Sequence, residues 1–356
     1  MCRASRGTAG RPPGPSSGRG RRGPAAGAEA SMNRYGVDQR EPSVSVVVPT
    51  RDEIARLPAL LHTIEAQTCA PIEVIVVDGM STDGSRGWLA DAATSRPWMT
   101  VVDNRDRNIP AALNTGLHRA RGDLVARMDT HADYAPDYIE ALVRVLQRRV
   151  ELVGAGGAMD TSGRGRWGQA IAAVLRRPVG MGGAPHRVGA DEGPVDHVFT
   201  GCYRRAALLQ VGGFDERLLA NEDFELDTRL RKAGGTVWLV PQARSIWYVP
   251  ESLPALARKM FRYGQFKAVT LRMHPESIKV RQLAPPSLLL VLLSLAFVRP
   301  RWGVTATGAY LGAAAAAGVR AAAVDAASPW RAAVVPPVVH LCWGAGLLAG
   351  LTWPPA

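Results

Sequence analysis

Cysteines at paired spacing are missing from this chain. Its 356 residues hold four, Cys2, Cys69, Cys202 and Cys342, without the spacing of a zinc site or a disulfide framework, so neither is expected and a reducing compartment fits best. An apolar stretch near the start is missing too. Residues 1–42 form an Arg-, Gly-, Pro- and Ala-rich leader in which Arg3, Arg6, Arg11, Arg19, Arg21, Arg22, Arg34 and Arg40 face only Glu29 and Asp38 before residue 41, a composition expected to be disordered and unlike a secretory signal. Translation from Met32 would leave only a short arm. The glycine-rich stretches Gly154–Ala158 and Val179–Ala184 lack the spacing of a P-loop or dinucleotide fingerprint and are expected to be mobile connections instead. The net charge of +12 comes with no base-reading motif, and much of it sits in the leader, so no nucleic-acid partner is expected.

What is present is alternation. From Ser43 the run Ser-Val-Ser-Val-Val-Val-Pro-Thr reads as a buried strand ending at Pro49. Ile54–Gln67 follows with Ile54, Leu57, Leu61 and Ile64 at helical spacing. Ile72–Val77 is a second strand, 85–94 a helix, 99–102 a strand, 109–120 a helix and Asp123–Met128 a strand. That order predicts an α/β protein with a doubly wound, mainly parallel sheet. Further strand character is expected at Val195–Phe199, and an amphipathic helix at Ser252–Arg272.

Three acidic clusters decorate this framework: Asp78 and Asp83 in Val-Val-Asp-Gly-Met-Ser-Thr-Asp-Gly-Ser, then Asp129-Thr-His131, then Glu222-Asp223. The first two follow strands, where the crevice of an open α/β sheet binds ligands. The third opens a helix, whose N-terminus favours negative charge.

Val-Pro-Thr-Arg-Asp-Glu, the Asp78 segment, Ala-Leu-Asn-Thr-Gly-Leu, Arg-Met-Asp-Thr-His-Ala-Asp-Tyr, Gly-Gly-Phe-Asp-Glu and Asn-Glu-Asp-Phe-Glu-Leu-Asp-Thr-Arg-Leu occur in this order over roughly residues 43 to 282. They resemble the inverting nucleotide-diphosphosugar glycosyltransferases of the GT-A type, family 2, and within it the succinoglycan-type glucosyltransferases of bacterial exopolysaccharide assembly. The resemblance implies a GT-A domain over 43–282 that transfers a sugar from a nucleotide diphosphosugar, a UDP-sugar by preference, to a lipid-linked or glycan acceptor. It implies that Thr50, Asp52, Glu53, Asp78, Asp83, Asp129 and Gly201 hold the donor and that Asp223 is the base, with Glu222 beside it. Asp52 stands where the family more often has Asn. Asp83-Gly84 also suits plain turn chemistry, capping the helix at Ser85.

A leaving diphosphate calls for a divalent cation. Asp129 and His131, at alternate positions of an extended segment, are expected to face one Mn²⁺ or Mg²⁺ together, imidazole favouring Mn²⁺. The family's usual Asp-x-Asp is changed here to Asp-x-His. Basic residues Arg258, Arg262 and Lys267 are expected to neutralise donor diphosphate or acceptor phosphate. The processive Gln-x-x-Arg-Trp signature is absent, so single transfer is expected.

Residues 283–356 change composition. Leu283–Val298, 302–319 and Ala332–Trp353 are nearly free of charge and predict two to three transmembrane helices, the first short against the roughly 20 residues a span needs. The basic residues before Leu283 favour a plasma (inner) membrane protein with its catalytic domain in the cytoplasm. The competing reading is a membrane-attached scaffold that keeps the fold without turnover.

Overall fold

A computed structural model describes residues 41–182, 189 and 191–352; the leader up to residue 40, most of the stretch after Gly182 and Trp353 lie outside them. The strands are β1 Val44–Thr50, β2 Glu73–Asp78, β3 Met99–Asp103, β4 Leu124–Arg127, β5 Ala132–Tyr134, β6 Leu152–Ser162, β7 Gly193–Pro194, β8 Cys202–Arg204 and β9 Thr236–Tyr248. They form one sheet in the order β3-β2-β1-β4-β8-β6-β9-β5, with β7 on β9. The β3-β2-β1-β4 block is parallel. β8 enters antiparallel between β4 and β6, while β6 and β9 run parallel.

The helices of this domain are α1 Leu57–Glu65, α2 Ser85–Thr94, α3 Ile109–Arg119, α4 Tyr138–Arg148, α5 Gly165–Leu175, α6 Pro178–Met181, α7 Arg205–Gln210, α8 Glu222–Lys232 and α9 Leu253–Met273. Every residue of β1 and β2 is buried, because helices cover both faces of the sheet. Leu57, Leu61, Leu89, Ile139 and Leu142 pack with Val46, Val48 and Val76 on one face. Leu113, Leu117, Leu208, Leu226 and Leu230 pack with Val47, Ile75 and Val77 on the other. Asn108 starts α3 by accepting from Ala111 N at 2.8 Å.

The winding reverses at β1: α1 and α2 carry the chain to β2 and β3 on one side, and α3 returns it to β4 on the other. Ligands of such sheets bind at this reversal, beyond the carboxyl ends of the strands.

Three differences from expectation have physical causes. β1 continues past Pro49 to Thr50. Gly154–Ala158 is no mobile link but the buried middle of β6; a Cβ on Gly157 would lie 2.0 Å from the Ala243 carbonyl, and one on Gly154 2.2 Å from the Tyr203 ring, so these glycines serve close approach. Val195–Phe199 is not a strand, since Val198 N bonds the Asp227 carboxylate at 3.0 Å rather than a neighbouring strand. Among the described cysteines, Cys202 and Cys342 are free.

Three long helices close the chain: α10 Val280–Val298, α11 Pro300–Val324 and α12 Pro329–Thr352. Of these α10 and α12 are long and apolar enough to cross a membrane, so the middle segment falls short of the three spans at the upper end of the expectation. α12 lies against α9 through glycines: Cβ atoms on Gly264 and Gly346 would each come 2.0 Å from a carbonyl oxygen of the facing helix, those of Trp343 and Phe261. Small residues permit such backbone approach. The turn after α11 is tied to the domain by Asp325, which pairs with Arg176 at 3.2 Å and Arg177 at 3.3 Å.

Candidate active site

The loop after β1 is built from reciprocal side-chain caps. Asp52 N donates to Ser81 Oγ at 2.7 Å, and Asp52 Oδ1 accepts from Thr82 N at 2.7 Å. Asp83 accepts from Ile54 N and Ser85 N, both at 3.0 Å, and these amides with the Ser85 hydroxyl hold its carboxyl below the usual range. Both oxygens of Asp83 are thus used in joining the β1 loop to α2, which is the turn chemistry and not a ligand-facing carboxylate. Asp78 is 0 % exposed. It accepts from Ser81 N at 3.0 Å and from the Ser81 hydroxyl, with Arg86 at 3.4 Å, so it shapes the loop from beneath. Thr50 differs from its neighbours: its buried Oγ1 has no hydrogen-bond partner among the described residues.

Glu53 and His131, distant in sequence, meet at 2.7 Å between Oε1 and Nε2. Arg56 Nη1 donates to His131 Nδ1 at 2.8 Å and to Glu53 Oε2 at 3.0 Å. Because a guanidinium only donates, Nδ1 is the acceptor and the imidazole proton lies on Nε2, facing Glu53. Burial acts to raise the Glu53 pKa, but His131 and Arg56 outweigh it and hold the carboxyl low.

Asp129 lies beside this pair at the end of β4. Residues 129–132 form a turn closed from Ala132 N to the Asp129 carbonyl at 3.2 Å, not the extended segment the sequence suggested. The alternation that would aim Asp129 and His131 at one ion is therefore absent. Instead both Asp129 oxygens take the Arg127 fork, at 2.7 and 2.9 Å, and Arg127 Nη1 donates to Glu222 Oε1 at 3.0 Å. Arg127 is 8 % exposed. Burial works against its charge, yet Asp129 and Glu222 raise its pKa well above the usual value. The Tyr134 hydroxyl donates nothing to Asp129 but accepts its backbone N–H at 2.7 Å, fixing the turn.

No group of three or more His, Cys, Asp or Glu among the described residues is arranged to hold a metal ion. Asp129 would fit one on releasing the Arg127 fork that takes both its oxygens. Its carboxylate already faces a cation, the Arg127 guanidinium, and hard divalent ions at phosphate sites take one or two carboxylates and fill the remainder with phosphate oxygens and water. His131 would join only after leaving Arg56 or Glu53.

Glu222 and Asp223 begin α8 behind Asn221, a non-glycine residue at φ 63°. Glu222 is buried, and desolvation followed by the Asp223 charge raises its pKa against the pull of Arg127. Asp223 is more open, with side-chain exposure of 22 %, and accepts from Phe224 N at 2.7 Å. His197 faces it from the segment before β8, 3.7 Å from Nε2 to Oδ2. Gly201, just before β8, gives its carbonyl to Arg127 N at 3.1 Å; a Cβ there would lie 2.7 Å from the Tyr203 ring.

The basic residues of α9 are not gathered here. Arg258 is exposed, Arg262 donates to the Leu219 carbonyl at 2.8 Å, and Lys267 is buried, 4.1 Å over the Phe224 ring and 3.3 Å from the Ser277 carbonyl. Burial, then Lys279, pushes the Lys267 pKa down to about 8. Its aliphatic stem completes a core, so it does not reach outward for a diphosphate.

Sequence reasoning passed over Arg127, Arg56, His197 and Asp227. Arg127 carried a signal, since a charge inside the apolar run Leu124–Met128 must find buried partners.

Residues 45–212 match the model of glycosyl transferase family 2. The succinoglycan biosynthesis protein ExoA of Rhizobium meliloti is 32% identical over 308 residues, 85% of this chain and 92% of that protein. An undecaprenyl-phosphate 4-deoxy-4-formamido-L-arabinose transferase of Aeromonas hydrophila is 37% identical over 116 residues, 31% of this chain and 36% of that protein. Among solved structures, a mannosyltransferase from Pyrobaculum calidifontis in complex with GDP-Man and Mn²⁺ shares the fold with a TM-score of 0.55 at 21% identity, over 91% of this chain and 94% of that one.

Proposed function

The chain belongs to glycosyl transferase family 2, and we propose that it transfers a sugar, with inversion, from a nucleotide diphosphosugar to a lipid-linked or glycan acceptor in exopolysaccharide or cell-surface glycan synthesis. One observation carries the reading. Arg127 joins Asp129, after β4, to Glu222 at the start of α8, at 2.7 and 3.0 Å, and Glu53 of the loop after β1 meets His131 of the same 129–132 turn at 2.7 Å. The names of the relatives, a succinoglycan biosynthesis protein and an undecaprenyl-phosphate sugar transferase, support the acceptor class. α10 and α12 support a membrane site of action, with the catalytic domain, residues 43–282, on the cytoplasmic side of the plasma membrane.

In this reading Thr50 offers its unpartnered hydroxyl to the nucleotide, and the Asp52–Glu53 loop lines the base and ribose, for which a uracil imide N–H suits a carboxylate acceptor. Asp129 would hold Mn²⁺ or Mg²⁺. When bound, that ion offsets the charge of the departing diphosphate. Asp223, the more exposed acid of the pair, accepts the proton of the acceptor hydroxyl as its oxygen attacks the anomeric carbon from the face opposite the leaving group. Glu222 stays buried against Arg127 and keeps the start of α8 in place.

The test is nucleotide diphosphate release in membranes holding wild type or Asp223→Asn, across UDP- and GDP-sugars, with Mn²⁺, Mg²⁺ or chelator and native lipid extract. Metal-dependent release by wild type that the variant loses by about 10²-fold or more, with donor binding kept, is expected. Equal turnover by both proteins would remove Asp223 from the mechanism. A scaffold predicts donor binding without release under any condition.

A further inference from the structure

We propose that His197 is a positioning residue for Asp223, held by Asp227 so that its Nε2 receives the proton Asp223 takes from the acceptor. The inference rests on the transferase reading above and adds a second proton carrier to it. Asp227 lies on α8 one turn beyond Asp223 and is fully buried. Its carboxylate takes three hydrogen bonds: from His197 Nδ1 at 2.9 Å, from Val198 N at 3.0 Å and from the Tyr203 hydroxyl at 2.9 Å. Two of these donors belong to consecutive residues, so the backbone and the ring of His197 are fixed by one acceptor. The Phe224 ring closes the side of the imidazole edge-on, with centroids 5.8 Å apart.

With Nδ1 donating to Asp227, the neutral ring carries its lone pair on Nε2, the atom that faces Asp223 Oδ2 at 3.7 Å. A carboxylate and a lone pair have no reason to approach closer while Asp223 is ionised. Once Asp223 has gained a proton, the same pair becomes donor and acceptor, and a small side-chain movement makes the bond. The sequence of events balances. The acceptor O–H proton passes to Asp223, the oxygen forms its bond to the anomeric carbon, and the carbon–oxygen bond to the diphosphate breaks with its electron pair leaving on the diphosphate. The proton then moves from Asp223 to His197 Nε2, and the imidazolium is stabilised by the Asp227 carboxylate before release to solvent. Asp223 is ionised again for the next acceptor. The arrangement follows the general rule that a base is itself oriented by a third group.

Other charges bear on His197. Glu222 shares α8 with both acids, and Arg127 of β4 reaches Glu222 at 3.0 Å. Tyr203 of β8 shares Asp227, and Lys267 of α9 sits over the far face of Phe224. Asp196, next in the chain, is drawn away to Lys279 and Arg231.

The experiment uses full-length protein in membranes and the donor that wild type turns over. His197→Asn keeps an N–H for Asp227 and removes the Nε2 lone pair; His197→Ala removes both. We expect kcat to fall about 10- to 100-fold in His197→Asn with donor KM within about twofold, the acid limb of its kcat–pH profile to move, and added imidazole to restore part of the His197→Ala rate. A folded His197→Asn with kcat within about twofold of wild type overturns the proposal. So does a kcat loss that tracks a fall in Tm, leaves the pH limb in place and is not rescued by imidazole, because that is a packing role alone. Failure of wild type to release nucleotide with any donor is a different result and refutes the transferase reading itself.

Discussion

Replacing Arg127 by Met keeps much of the side chain's volume and removes its charge. It leaves Asp129 without its fork and Glu222 without the cation 3.0 Å away, both in surroundings where Arg127 is 8 % exposed. Removing one partner of a buried ion pair costs about 3–5 kcal/mol, because the remaining charge is desolvated and uncompensated. For a domain of this size about 2–4 °C of Tm follows each kcal/mol, so a fall of roughly 6–20 °C is expected, read by intrinsic fluorescence of the detergent-solubilised chain. The penalty depends on pH. Burial and the Asp223 charge already raise the Glu222 pKa, and Arg127 is what opposes them; without it the value rises further. An acid whose folded pKa is raised contributes stability below its unfolded value and loses it as pH rises through the folded value. The difference between wild type and Arg127→Met is therefore larger at pH 7.5 than at pH 5.5. Arg127→Lys, which restores charge but not the fork, falls between. A loss below about 1 kcal/mol, or one equal at both pH values, would refute the argument that Arg127 neutralises buried Glu222 and half-buried Asp129.

Asp129→Asn removes the one carboxylate charge offered to a divalent ion, so the Mn²⁺ needed for half-maximal nucleotide release rises about tenfold or more; an unchanged metal titration would place the ion elsewhere. Thr50→Val removes a buried hydroxyl that lacks a partner among the described residues, which leaves Tm unchanged or slightly higher while donor KM rises; a stability loss above about 1 kcal/mol would mean the hydroxyl is satisfied. Gly346→Leu puts side chain where a Cβ alone meets the Phe261 carbonyl at 2.0 Å, and about 1–3 kcal/mol of overpacking should separate α9 from α12, seen as new protease cleavage after Met273; an unchanged digest would show that the helices do not rely on this contact.

The sheet was legible because its strands are continuous apolar runs. Val44–Val48, Val74–Val77 and Leu124–Ala126 bury every residue, and runs of that kind between amphipathic helices have few other uses. α2 begins and ends at the residues its pattern marks. The three acidic clusters were legible for the same reason, as charges at the ends of buried strands and at a helix start. What could not be read was direction. Asp78, Asp83 and Lys267 look alike in a sequence whether they face a ligand or a neighbour, and here they face Ser81, Ser85 and Ser277. Gly154–Ala158 was misread because glycine signals freedom and close approach with the same letter. Arg127 was passed over because its partner Glu222 is 95 residues away.

Local rules fail most where the crevice is. Among the described residues, six that are not glycine adopt positive φ, and four of them are Asp52, Met80, Thr200 and Asn221. Asp52 follows β1, Met80 follows β2, Thr200 precedes β8 and Asn221 precedes α8, so the strain lies on the connections that carry or adjoin the site. Each such residue costs of order 1 kcal/mol or more and persists only where its surroundings over-determine it. Those surroundings are visible: Asp52 is held at its N–H and its carboxylate by Ser81 and Thr82, the Thr200 carbonyl takes the Tyr138 hydroxyl at 2.9 Å, and Asn221 donates to the Tyr263 carbonyl at 3.1 Å. The last of these bonds reaches α9, the helix on which α12 packs. The loop before Glu222 and Asp223 is thus tied to the same helix on which α12 packs, so a shift of α12 against α9 bears directly on the start of α8.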